Sequence, residues 1–187
     1  MKTASPPEVP CPIVMVGLMG AGKTSVGKRL AARLGLPFVD ADNEIEAAAG
    51  CSIPDFFSQF GEDEFRRGEE RVIGRLLDDP PHVLATGGGA FMSAATRAKV
   101  KEKAISIWLR ADLEVLLRRV RRRNNRPLLA GKDQRQVLSE LMARRNPLYA
   151  EADLTVDSGD GPHEEVVERI VALLRQRLGA PRQAASS

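Results

Sequence analysis

Aromatic side chains are scarce, at 4% of the 187 residues, so aliphatic groups must fill the interior. Cysteine is almost absent: Cys11 and Cys51 lie far apart, which excludes a disulfide framework, and no metal-ligand spacing is present. No apolar run reaches the length of a membrane-spanning helix. The segment from Met1 to Pro10 is polar and proline-rich, unlike a secretory leader. A reducing cytoplasm is therefore the expected compartment, with no membrane partner. Neither sign of charge dominates. The net charge of +3 favours anionic ligands only weakly, and a few arginines around a phosphate site would account for it.

What is present is ordinary globular material, 43% hydrophobic and 28% charged, in a length that suits one domain. That domain is expected over 11–179. The stretches 1–10 and 180–187, rich in Pro, Ser, Ala and Gln, read as flexible tails. Five apolar runs read as buried strands: Ile13–Val16, Pro37–Asp40, Val83–Thr86, Ala104–Leu109 and Leu154–Asp157. Helical spacing lies between them. Val26, Leu30 and Leu34 share a face that stops at Gly35. Asp112 is placed to N-cap a helix using Leu113, Leu116, Leu117 and Val120. Val166, Val167, Ile170, Leu173 and Leu174 line the last helix, which Gly179 ends. Strands alternating with helices predict an α/β domain with a mainly parallel sheet, and such sheets bind ligands at the carboxyl ends of their strands.

Every motif falls at such an end. The first strand runs into Gly17-Leu-Met-Gly20-Ala21-Gly22-Lys23-Thr24-Ser25 and then a helix, which is the strand–loop–helix setting of a phosphate-binding loop. Glycines let the backbone turn its N–H groups inward, and the helix N-terminus adds positive potential. Lys23 is expected to reach the β- and γ-phosphates, and Thr24 to bind Mg²⁺. After the second strand, Asp40 and Asp42 would face the same way if strand geometry continued. Two unrelieved carboxylates repel, so Asp40 is a candidate for the metal shell and Asp42 for orienting a hydroxyl. Equally, Asp42 could simply N-cap the next helix.

Downstream, Phe56, Phe57 and Phe60 precede Gly61-Glu-Asp-Glu-Phe65-Arg66. Arg66 has the planar fork that suits a carboxylate, but an i,i+4 pair with Glu70 or Glu62 is the simpler reading from spacing alone. Gly87-Gly88-Gly89 follows the third strand and permits very close approach of backbone to a ligand. Six arginines, Arg118, Arg119, Arg121, Arg122, Arg123 and Arg126, crowd nine positions. They admit three readings: nucleic-acid binding, a solvated helix face, or a phosphate-closing lid. The absence of interleaved aromatics and the modest net charge weigh against nucleic acid. Most of them fit a solvated face, with Arg126, beside Pro127, the choice for a lid over about 121–133.

Taken together, these motifs resemble the shikimate kinase family of nucleoside-monophosphate-kinase-like P-loop enzymes, over roughly 13–175. The resemblance rests on the phosphate loop, Phe38-Val-Asp40-Ala-Asp42, Gly61-Glu-x-x-Phe65-Arg66, Thr86-Gly-Gly-Gly89, Arg126-Pro-Leu-Leu129 and Arg144-Arg145-x-Pro147-Leu-Tyr149. It implies a three-layer fold with a five-stranded parallel sheet, helices on both faces and a mobile lid. It also implies transfer of the ATP γ-phosphate to the 3-hydroxyl of shikimate by a monomer. By matching position, Asp42, Arg66, Gly88 and Arg145 would contact shikimate, with Gly87 and Gly89 beside them and Phe57 and Phe65 lining the pocket. Lys23 and Arg126 would touch the transferring phosphate, and Arg119 would pack near adenine. Asp40 would support Mg²⁺. The segment Asp157-Ser-Gly-Asp160-Gly-Pro162 has no clear family counterpart, and the Arg121–Arg123 cluster is more basic than usual. The nearest alternative is a kinase for another hydroxy acid such as gluconate. A guanine-reading switch is disfavoured because no Asn-Lys-x-Asp stretch is present.

Overall fold

The computed structural model describes residues 6–122 and 133–179. Five strands, β1 (Ile13–Val16), β2 (Phe38–Asp40), β3 (Val83–Ala85), β4 (Ile105–Arg110) and β5 (Leu154–Asp157), form one parallel sheet in the order β2-β3-β1-β4-β5. Among the described residues there are seven α-helices: α1 (Lys23–Leu34), α2 (Ala41–Ala49), α3 (Ile53–Leu76), α4 (Ala94–Lys103), α5 (Leu113–Arg121), α6 (Gln134–Tyr149) and α7 (His163–Gly179). Strand register aligns Asp40 with Ala85 and Val16 with Trp108. The strand ends are thus brought to one edge, where β1 sits between β3 and β4.

The central strands β1 and β3 are continuous buried apolar runs because helices cover both faces of the sheet, whereas the edge strands β2 and β5 are only partly buried. All four residues of β1 are at most 1% exposed. Helices α1 and α7 pack together against the sheet, while α4 packs on α3 and β4, and α5 on α6. Val26, Leu30 and Leu34 of α1 are buried as their spacing predicted, and Gly35 closes the helix. Each fully buried Leu or Ile contributes about 1.5–3 kcal/mol of transfer free energy, which is how an aromatic-poor chain builds its core.

Three details depart from the sequence reading. Asp112 does occupy the N-cap of α5, but its side chain makes no capping bond. Helix α3 is two helices joined across Gly61, whose φ of 79° breaks the helical path. Val9, within the segment expected to be a tail, is 7% exposed and joins the core. Arg123, Arg126 and most of the expected lid lie outside the described residues.

Candidate active site

The phosphate loop leaves β1 through Gly17, Gly20 and Gly22, whose φ values are 141°, 81° and 98°. An L side chain would resist each of these conformations, so the loop needs glycine there. Gly22 caps α1 without any side-chain bond, and Lys23 is the first residue of the helix. The helix therefore presents backbone donors and its positive end to the cleft. Lys23 is buried, and its Nζ donates to the carbonyls of Gly17 at 2.7 Å and Leu18 at 3.0 Å. Its charge is held inside the loop on two acceptors that a phosphate oxygen can replace.

Asp40 caps α2. Its Oδ1 accepts from the Asp42 N–H at 3.1 Å, and its Oδ2 accepts from the Thr24 hydroxyl at 3.2 Å. The alternative role of Asp42 as a cap is thus wrong, as is the idea that strand geometry continues through it. The chain turns helical at Ala41, and Asp42 sits in the first turn of α2. The capping bond to Asp40 fixes that turn. Asp42 lines the same cleft as Lys23, Thr24 and Asp40.

The glycine segment after β3 is clamped from several sides. The Thr86 hydroxyl donates to Met15 O at 2.9 Å, tying the end of β3 to β1. A side-chain carbon placed on Gly87 would meet Asp42 Oδ1 and Glu69 Oε1, each at 3.2 Å. One placed on Gly88 would meet Arg145 Nη1 at 3.3 Å. One placed on Gly89 would overlap the guanidinium of Arg66. Charged side chains therefore fill the space beside the segment, and the crowding is severe at Gly89 and mild at Gly87 and Gly88.

Arg66 is held mainly by a partner that helical spacing alone did not single out. Its Nη1 donates to Glu69 Oε2 at 2.6 Å, whereas the expected Glu62 lies at 3.6 Å. Glu69 is 3% exposed. Burial pushes its carboxyl above the usual range, against the pull of the Arg66 charge. Removing Arg66 would leave this buried carboxylate without its compensating charge. A signal for Glu69 was present: Phe65, Glu69, Ile73 and Leu76 are the buried stripe of α3, and a glutamate on an apolar stripe needs a partner. Arg66 also lies 5.2 Å over the Phe65 ring, which packs 4.5 Å from Phe57.

On the other side of the phosphate loop, Arg119 Nη1 donates to Gly20 O at 3.3 Å, Ala21 O at 3.2 Å and Ser158 Oγ at 3.0 Å. Its Nη2 donates to Gly159 O at 2.5 Å. The Ser158 hydroxyl, 1% exposed, donates to Ala21 O at 2.8 Å. Ser158 thus fastens the end of β5 to the phosphate loop, a role with no local signal in the residues. His163 stands beside Gly22, with its Nδ1 buried and without a hydrogen-bond partner. Burial and the neighbouring Arg119 and Arg29 charges push its imidazole below the usual range, so it is neutral at pH 7. Arg118, read as solvated, faces Asp160 in an ion pair.

A cleft of about 480 Å³ joins these parts. Gly20, Gly22, Lys23, Thr24, Ser25, Asp40, Asp42, Gly87, Gly88 and Arg119 line it, together with Arg118, Arg122 and Asp160–His163. Phe57, Phe65, Arg66, Gly89 and Arg145 are not part of its lining; Arg66 and Arg145 stand against the glycine segment, and Phe65 and Phe57 pack behind Arg66. Ala21 is buried beneath the loop.

A parallel sheet whose central strand turns through such a loop into α1, with carboxylates and arginines at the neighbouring strand end, defines a P-loop small-molecule kinase. The family model for shikimate kinase matches residues 19–175. The chain belongs to the shikimate kinase family. It is 63% identical to a shikimate kinase of Caulobacter vibrioides over 164 residues, covering 88% of this chain and 82% of that protein. It is 57% identical to one from Bradyrhizobium diazoefficiens, covering 89% and 80%. A solved shikimate kinase from Acinetobacter baumannii, in complex with shikimate, matches with a TM-score of 0.86 at 40% identity, covering 91% of this chain and 96% of that one. A gluconokinase from Sinorhizobium meliloti, at 22% identity and a TM-score of 0.63, shares the fold.

Proposed function

We propose that this chain phosphorylates the 3-hydroxyl of shikimate with ATP, and that the glycine segment with Asp42, Arg66 and Arg145 holds the acceptor. The observation that carries this reading is the convergence of Arg66 and Arg145 on Gly88–Gly89, one strand away from the phosphate loop. Two guanidinium forks at one glycine segment suit a single carboxylate. Asp42 would orient the hydroxyl and accept its proton, a reading supported by its position beside Gly87 and in the cleft. Phe57 and Phe65 supply an apolar wall.

On the donor side, Gly20–Ser25 wraps the phosphates and Lys23 exchanges its loop carbonyls for phosphate oxygens. The transition state is loose, so placing positive charge around the moving phosphoryl matters more than a strong base. Arg119 forms the wall of the adenine side. Arg126, outside the described residues, is assigned to the phosphoryl group on the family resemblance alone. Mg²⁺ fits the hard oxygen pair of Thr24 and Asp40, which lies on the cleft. When bound, it neutralises phosphate charge.

All these residues belong to one chain and to a single domain over 11–179, so the reading requires no second copy. Cytoplasmic location is supported by the low cysteine content, two residues far apart in the chain. No helix among the described residues is long and apolar enough to cross a membrane.

Arg66→Lys tests the acceptor assignment, because it keeps the charge and loses the fork. KM for shikimate should rise by at least about tenfold, the factor that accompanies loss of one charge-assisted hydrogen bond, with KM for ATP little changed. Equal effects on both substrates would remove Arg66 from the acceptor site.

A further inference from the structure

A buried phenol stands beside the glycine segment and takes no part in the phosphoryl transfer itself. Tyr149 closes α6 and has no exposed surface. Burial pushes its phenol above the usual range, so the hydroxyl stays a protonated donor at working pH. That hydroxyl donates to the carbonyl of Gly88. Arg145 lies one turn earlier on the same helix, on the Tyr149 side, and its Nη1 faces Gly88. Its ring is fixed between Phe91, at 6.5 Å, and Trp108, at 6.0 Å. Tyr149 thus links the Arg145 turn of α6 to the Gly88 carbonyl, a short relay along one side of the glycine segment.

The relay does two things. It holds Arg145 in one orientation against the glycine segment. It also fixes the Gly88–Gly89 peptide plane. In a trans peptide the carbonyl and the following N–H point in opposite directions, so the Gly89 N–H is made to face away from Tyr149. Without the hydroxyl, that plane and the Arg145 fork would each be free to turn, and a carboxylate would have to order both on binding.

We infer that Tyr149 is a positioning residue for the acceptor, locking Arg145 and the glycine segment into one binding geometry without touching the substrate itself. This rests on the reading of Arg66 and Arg145 as the carboxylate site. It assigns to the end of α6 a part in acceptor affinity, distinct from nucleotide binding.

Tyr149→Phe removes only the hydroxyl. The test reads shikimate and ATP affinities separately, following Trp108, the only tryptophan, by fluorescence and turnover by steady-state kinetics. The shikimate Kd and KM should rise about tenfold while ATP values stay within about twofold, as expected when one charge-linked hydrogen bond is lost on one side of the site. Ser106→Ala, which removes a buried hydroxyl bonded to Asp153, serves as a stability control and should alter neither affinity. If Tyr149→Phe leaves shikimate affinity unchanged, or weakens both ligands equally, the inference is wrong.

A second readout needs no mutation. Tyr149 is the only tyrosine, so growth on 3-fluorotyrosine gives a single fluorine resonance. It should move on adding shikimate alone. A resonance unmoved at saturating shikimate would also overturn the inference. Arg66→Lys, measured alongside, separates the two levels. If it weakens shikimate and Tyr149→Phe does not, only the relay fails. If Arg66→Lys has no effect, the acceptor site itself is misplaced.

Discussion

The guanidinium of Arg66 rests directly against the α-carbon of Gly89, so closely that no side chain fits between them. The same arginine is held by the buried carboxylate of Glu69 at 2.6 Å. One helix thus delivers a fixed positive fork to the backbone of a loop after β3. Position, rather than charge alone, is what this contact provides.

Gly89→Ala should therefore disturb acceptor binding without touching the nucleotide loop. The added methyl must push Arg66 away or strain the loop. KM for shikimate is expected to rise about tenfold or more, and KM for ATP to stay near the wild-type value, since roughly 1.5–3 kcal/mol of charge-assisted bonding is displaced on one side only. Unchanged shikimate kinetics in a folded variant would show that Arg66 has another place to go.

Glu69 makes the site pH-dependent. Burial raises its folded pKa above the ordinary carboxylate value. Between those two values the native state holds more protons than the unfolded chain, so stability falls as pH rises through that window and is then level. Function runs the other way: as pH drops through the raised pKa, Arg66 loses its ionised partner. The acid limb of kcat/KM for shikimate should sit above the usual carboxylate range, and Glu69→Gln should abolish that limb and lower kcat/KM at neutral pH. A pH profile identical in the two proteins would sever Glu69 from acceptor binding.

Ser158→Ala addresses the donor side. It deletes the bond that fastens β5 to Ala21 O. The expected effect is a rise of about fivefold in KM for ATP, matching roughly 1 kcal/mol for a buried hydrogen bond, with shikimate KM unaffected. If shikimate KM rises instead, the two halves of the cleft are not separately supported as described here.

Much of this was legible in the residues. The phosphate loop, the strand ends and the glycine triplet are local patterns, and local backbone needs are written in sequence. Gly22 must adopt a left-handed conformation, and Lys23 must follow it. The fifth strand and the helix faces followed from apolar spacing alone. What was not legible was which charges are buried. Arg66 has acidic neighbours at several helical offsets, and only packing decides that Glu69 is the one turned inward. Asp40 and Asp42 looked alike because both follow a strand; their roles separate only because the helix begins at Ala41. Ser158 meets the phosphate loop across 137 residues of chain, a contact that no local pattern encodes.

The most direct measurement is a crystal structure with shikimate and ADP bound. The carboxylate should lie within about 3 Å of nitrogen atoms of both Arg66 and Arg145, a hydrogen-bonding distance, with the 3-hydroxyl turned toward Asp42 and the phosphate loop. A carboxylate bound away from both arginines, or a hydroxyl turned away from Asp42, would contradict this placement.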